Sequence, residues 1–172
     1  LTLSSTDIIN DAGGLIQSGA SLNLRADTLS NRNSGDRGGV ISQGPMTLNA
    51  GTLDSTAGVL LSGDALSLTA GVVNNTSGQM VANGLLGWNS QALNNQSGLI
   101  QGRGISINTA GQTLDNRRGT LNSLQELTVS TGAMDNRGGT VGAKTTADLS
   151  TTSLDNREGG RLVSEGELRL HT

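Results

Sequence analysis

The chain has 172 residues, with 26 glycines, one proline, one tryptophan, no phenylalanine, no tyrosine and no cysteine. That composition excludes an aromatic core, a disulfide framework and a thiolate metal site. With charged residues at 15% and a formal net charge of -3, it is neither a highly charged disordered polymer nor a surface built to attract nucleic acid or an anionic membrane.

In chain order, Leu1 and Leu3 read as the end of one strand, and the first full repeat opens on Ile9. The same apolar position returns at Leu29, Leu53, Val73, Leu93, Leu114, Met134 and Leu154, with spacings of 20, 24, 20, 20, 21, 20 and 20. A period this regular identifies a repeat array of about eight coils over residues 1–172. About seven positions after each opening stands a second apolar column: Ile16, Val40, Leu60, Met80, Ile100, Leu121, Val141 and Leu162. A third comes from alternating triplets such as Leu22 and Leu24, Leu66 and Leu68, Ile105 and Ile107, and Leu168 and Leu170, with Ala147 the smallest member. Apolar residues flanking one polar residue are the in-out-in pattern of a strand, and no stretch has helical period.

Two positions before the second column every repeat has glycine: Gly14, Gly38, Gly58, Gly78, Gly98, Gly119, Gly139 and Gly160. Such a column predicts a backbone turn with positive φ or a very close approach. Each repeat is thus two or three short strands joined by tight turns, too small to bury its apolar side alone. The residues predict an all-β fold, a parallel β-helix whose eight coils at about 4.8 Å spacing make a rod about 40 Å long. Leucine-rich, hexapeptide and nonapeptide calcium-binding repeats do not match this period or its Gly and Asn placement. In the second coil, residues 34–37, "SGDR", are expected to bulge as a surface loop. Trp88 is read as one large core side chain in a wide coil, the other reading being an exposed platform for a sugar ring.

The second residue after each opening is Asp11, Asn31, Ser55, Asn75, Asn95, Asn116, Asn136 or Asn156. Stacked at one turn, these amides are expected to form a ladder that bonds from coil to coil or caps the bend. In the last three coils it is flanked by Asp115, Asp135 and Asp155 and by Arg117, Arg137 and Arg157, so that alternating charge columns offset one another's repulsion. A second reading has Arg117, Arg137 and Arg157, with Arg118 and Arg161 nearby, gripping a sulfated or carboxylated glycan. Nothing in the sequence supports catalysis. His171 is the only histidine and lies at the chain end, no cluster has metal-ligand spacing, and no loop is long enough to build a cleft. No cofactor is expected.

The recurring "DNRRGTL", "DNRGGTV" and "DNREGGRL", each followed by a strand such as "LTV" or "LRL", resemble the haemagglutinin repeats of the filamentous haemagglutinin and CdiA type of two-partner-secreted bacterial exoproteins. The likeness runs over the whole chain and is thinnest in the first two coils, at "INDAGG" and "LSNRNSGDRGG". It implies a right-handed parallel β-helix, exported through an outer-membrane partner transporter and displayed as a filament on the cell surface. Relatives of this type are adhesins or contact-dependent growth-inhibition proteins. The chain then reads as an excised internal shaft segment, not membrane-spanning, carrying neither secretion domain nor toxin. Its two ends share one phase and lack caps, so isolated segments are expected to stack end to end.

Overall fold

The computed structural model describes residues 1–172, and every regular element in it is a strand. The 22 strands fall into one sheet of 14 and one of 8, and every pairing is parallel. Each coil follows three walls: an opening strand, a strand of the eight-stranded sheet, and a triplet strand that leads into the next coil. The coil is therefore a triangle, and the protein is a parallel β-solenoid of eight turns.

The columns read from the sequence stand in register. Met80 pairs with Ile100, Ile100 with Leu121 and Leu121 with Val141. In the triplets, Leu68 pairs with Trp88 and Trp88 with Ile107. Because side chains alternate across a strand, one residue type at one phase of every coil makes a continuous interior. A single apolar cluster of 29 buried residues runs along the axis. Trp88 belongs to it, 1% exposed, and its indole Nε1 donates to Ser90 Oγ at 2.9 Å. The sugar-platform reading of Trp88 is thereby corrected. Ala147, the smallest triplet residue, is also fully buried, between Leu127 and Leu168.

The corner between triplet and opening strands changes character along the rod. In the early coils the inward residue is Ala26, Ala50 or Ala70, and one nine-residue strand bends around the corner, as in Leu66–Asn74. From Trp88 onward the corner residue is Ser90, Thr109, Thr131 or Thr151, and the strand breaks in two, as in Leu85–Asn89 and Ala92–Asn94. Hydroxyls there take over turn carbonyls: Thr109 Oγ1 donates to Gln112 O at 2.7 Å, and Thr131 Oγ1 to the same oxygen at 2.8 Å.

One local reading is corrected and two are refined. The first coil opens on Ile8, not Ile9: Ile8 pairs with Leu29, whereas Ile9 points outward and is 75% exposed. Asn10 therefore takes the place assigned to Asp11. The 21-residue spacing between Leu93 and Leu114 conceals two changes, a turn shortened by one residue before Ile105 and a corner lengthened by two after Ile107. Finally, the bulge in the second coil is confined to the exposed Gly35, Asp36 and Arg37. Ser34 is buried, and its Oγ accepts the Val59 amide at 3.0 Å. In neighbouring coils the equivalent amide bonds a glycine carbonyl, as Gln79 N does with Gly58 O at 2.8 Å.

Ser34 thus replaces an acceptor that the insertion displaces. Ser34→Ala would leave the Val59 N–H buried without a partner, at a cost of about 1 to 3 kcal/mol. Urea unfolding measures this directly, and a loss below about 0.5 kcal/mol would show that the coil restores the bond by relaxing.

Candidate functional site

The corner between the opening strand and the eight-stranded sheet carries the amide, aspartate and arginine columns read from the sequence. Three consecutive positions build it. The first is acidic or amide: Asp54, Asn74, Asn94, Asp115, Asp135 or Asp155. Its side-chain oxygen accepts the backbone N–H two residues on, as Asp54 Oδ1 does from Thr56 N at 3.0 Å and Asp115 Oδ1 from Arg117 N at 3.1 Å. This closes an Asx turn and starts the bend.

The second position is the amide column, whose side chains point into the rod. Asn31, Asn75, Asn95, Asn116 and Asn136 are 0% exposed. Asn75 Nδ2 donates to Asn95 Oδ1 at 2.7 Å, Asn95 to Asn116 at 2.8 Å, Asn116 to Asn136 at 2.7 Å and Asn136 to Asn156 at 2.7 Å. Each Nδ2 also reaches a carbonyl of its own coil and one of the next, as Asn116 does with Gly119 O and Thr140 O, both at 3.3 Å. Asn10 joins the ladder by donating to Asn31 Oδ1 at 2.9 Å. Ser55 interrupts it: Asn31 reaches its Oγ at 3.4 Å, and Asn75 Oδ1 is left buried without a partner.

The residue two after the amide has positive φ in all eight coils: Ala12, Asn33, Ala57, Ser77, Ser97, Arg118, Gly138 and Glu158. The glycine column lies just beyond. Its members have ordinary φ and owe their identity to close approach, since a Cβ on Gly98, Gly119 or Gly139 would meet the asparagine carbonyl oxygen of the preceding coil.

Arg117, Arg137 and Arg157 occupy the third position, on the outer surface. Each closes first on the aspartate of its own coil, with Nη2 to Oδ2 distances of 2.7 Å to Asp115, Asp135 and Asp155 respectively. Contacts to the next coil are longer, 3.7 Å from Arg117 to Asp135 and 3.5 Å from Arg137 to Asp155. In the first coil Asp11 lies beneath Arg32, and the pair closes at 2.8 Å. The guanidinium groups are therefore committed to carboxylates. Arg117, Arg118 and Arg137 also border a polar hollow of about 230 Å³, together with Glu158.

These pairs set the carboxylate pKa values. The Arg157 hydrogen bond holds Asp155 down at about 2. Burial by itself would raise Asp11, but the Arg32 side-chain and backbone hydrogen bonds outweigh it and hold Asp11 at about 2. Asp135 is lowered chiefly by Arg137. A carboxylate with a depressed folded pKa stabilises the fold above its unfolded value near 3.9 and loses that contribution as pH falls through its folded value. The melting temperature is therefore expected to drop between about pH 4 and pH 2. An Asp11→Asn, Asp155→Asn double variant should show a shallower drop across that window. Equal slopes would remove these pairs from the acid response.

The remaining relief is shallow. The shortened turn at Arg103 leaves an open depression of about 790 Å³ bordered by Asp64, Leu85, Gln125 and Glu126. No group of three or more His, Cys, Asp or Glu side chains is placed to hold a metal ion. His171 lies exposed on the last strand, with Nε2 3.6 Å from Asp148. No helix is long and apolar enough to cross a membrane.

Comparison with known proteins accounts for the repeat as a whole. The haemagglutinin repeat matches four times, over residues 1–41, 30–86, 65–117 and 105–171. Neither the curated proteins nor the solved structures contain a significant match to the chain. The matches follow the coils just described, with the Asn corner and glycine column recurring in each, and the chain belongs to the haemagglutinin repeat family.

Proposed function

We propose that the chain is a structural shaft segment of a secreted, cell-surface filamentous exoprotein, either an adhesin or a contact-dependent growth-inhibition protein, and that it extends a distal functional tip. The observation that carries this reading is the unbroken register: parallel pairing continues from the first coil to the last through one apolar core. Such a rod transmits position and length, which is what a stalk supplies. Haemagglutinin-repeat membership supports a secreted or cell-surface location. The lack of cysteine suits export as an unfolded chain through an outer-membrane two-partner transporter.

The second reading makes the segment itself adhesive, with Arg117, Arg137 and Arg157 holding an anionic glycan or receptor. The aspartate partners of those arginines count against it, because a ligand would have to displace bonds of 2.7 Å. Binding of the labelled chain to target cells and to a glycan array, beside an Arg117→Gln, Arg137→Gln, Arg157→Gln variant, separates the two. No saturable binding by either protein is expected. Saturable binding lost in the variant would make the arginine column a receptor site and displace the shaft reading.

A further inference from the structure

The three outer walls of the rod are not alike. The triplet wall presents side chains such as Asn23, Thr47, Ser106, Thr128 and Asp148, and the opening wall presents Asp54, Asn74, Asp115 and Asp135. The eight-stranded wall is different over its first five coils. Its outward positions alternate with the buried Val40, Leu60, Met80 and Ile100, and six of them are aliphatic: Leu15, Ile41, Val59, Leu61, Val81 and Leu99. Ile41, Leu61 and Val81 stand directly beside one another in successive strands. The other outward positions there are Gln17, Gly39, Gln79 and Gln101, so this wall carries no charge until Arg161 in the last coil.

We infer that this apolar wall is a side-to-side contact surface for a second copy of the same chain, so that two rods pack wall against wall. Self-pairing is favoured on three grounds. A two-fold contact brings the same patch together from both partners, so any unpaired charge would tend to meet its like. The outward strand positions of this wall carry none in the first seven coils. Second, the side-chain rows repeat at the strand spacing of about 4.8 Å on both partners, so their ridges and gaps match along the whole contact. Third, the area fits a weak, additive contact. Five strands of four residues cover only about 300 Å² per partner, well below the roughly 800 Å² of a standard stable interface. A single chain should therefore dimerise only at high concentration, and each added coil of like surface would strengthen the association. The inference is separate from the shaft proposal, because a rod that never pairs remains a rod.

The test is sedimentation together with small-angle scattering of the whole chain from micromolar to millimolar concentration. The comparison is a Leu61→Lys, Val81→Lys variant, with Thr69→Lys, on the exposed polar triplet wall, as the control. Both changed positions point outward, and circular dichroism checks that the fold is kept. The expected result is a reversible dimer with a thicker cross-section and unchanged rod length, weakened more than about tenfold in the double variant and unaffected in the control. A monomer throughout, a dimer that survives the double substitution, or one that lengthens the rod by end-to-end stacking would each overturn the inference. So would a monomeric chain that instead floats with phosphatidylcholine vesicles through the same residues, which would assign the wall to a lipid surface.

Discussion

Gly119→Ala is expected to destabilise the rod by about 3 kcal/mol or more, although it adds a single methyl group. The new Cβ would overlap the backbone oxygen of Asn95 and would lie 2.6 Å from Asn116 Oδ1 and 2.9 Å from Asn95 Nδ2. None of these atoms can retreat cheaply. Asn95 and Asn116 are tied to each other at 2.8 Å, and the Gly119 backbone is itself bonded to Asn116 O at 3.0 Å and to Thr140 N at 2.9 Å. Relief would require parting two coils. Gly87→Ala provides the control, because Gly87 faces outward on a triplet strand and a Cβ there meets nothing within 4 Å. That variant should be neutral or slightly stabilising, since alanine restricts the unfolded chain more than glycine does. Urea midpoints of the two variants should therefore move in opposite directions or differ widely; similar losses would refute close packing as the reason for the glycine column.

The columns were legible in the sequence because each rests on one strong physical demand. Leu60, Met80, Ile100 and Leu121 must be apolar to fill the axis, and their spacing reports the coil length directly. The glycines were visible for the same reason, although their role lies in close approach; the positive φ falls one residue earlier. That position was invisible, since Ala57, Ser97, Arg118 and Glu158 share no chemistry that announces it. The first coil misled by one residue because "IIND" offers two adjacent isoleucines and two adjacent residues fit for the corner. The stacking of Ile8 on Leu29 and of Asn10 on Asn31 decides between them. Ser34 was hidden by its role as a replacement, as its hydroxyl stands where other coils use a backbone oxygen. In the sequence the "DNR" phrase reads as two charge columns that offset each other's repulsion. The shorter bonds prove to be within a coil, where aspartate serves as both turn cap and arginine partner. Uncharged outward positions, finally, draw no attention in a sequence, which is why the apolar wall emerges only when the strands are laid side by side.

Asn116→Ala is expected to cost about 3 kcal/mol, because one amide serves four bonds across three coils. Its Nδ2 donates to Asn136 Oδ1, Gly119 O and Thr140 O, and its Oδ1 accepts from Asn95. Truncation removes all four bonds from a buried site, and each net bond is worth about 1 kcal/mol. Asn156→Ala should cost less than half as much. Asn156 stands in the last coil, partly exposed, with a donor bond only to Gly160 O at 3.1 Å. The same logic predicts a gain where the ladder is broken. Ser55 is too short to reach Asn75 Oδ1, the one buried side-chain polar atom without a partner. Gly58 stands beside Ser55 as Gly119 stands beside Asn116, so an amide has the space it has elsewhere in the column. Ser55→Asn would give Asn75 its donor and Asn31 a full acceptor, raising stability by about 1 kcal/mol. A loss in that variant would mean that the third coil is built around the gap, and that the ladder is not one interchangeable column. A gain, together with the loss in Asn116→Ala, would show that continuity of the amide column joins the coils into one cooperative rod.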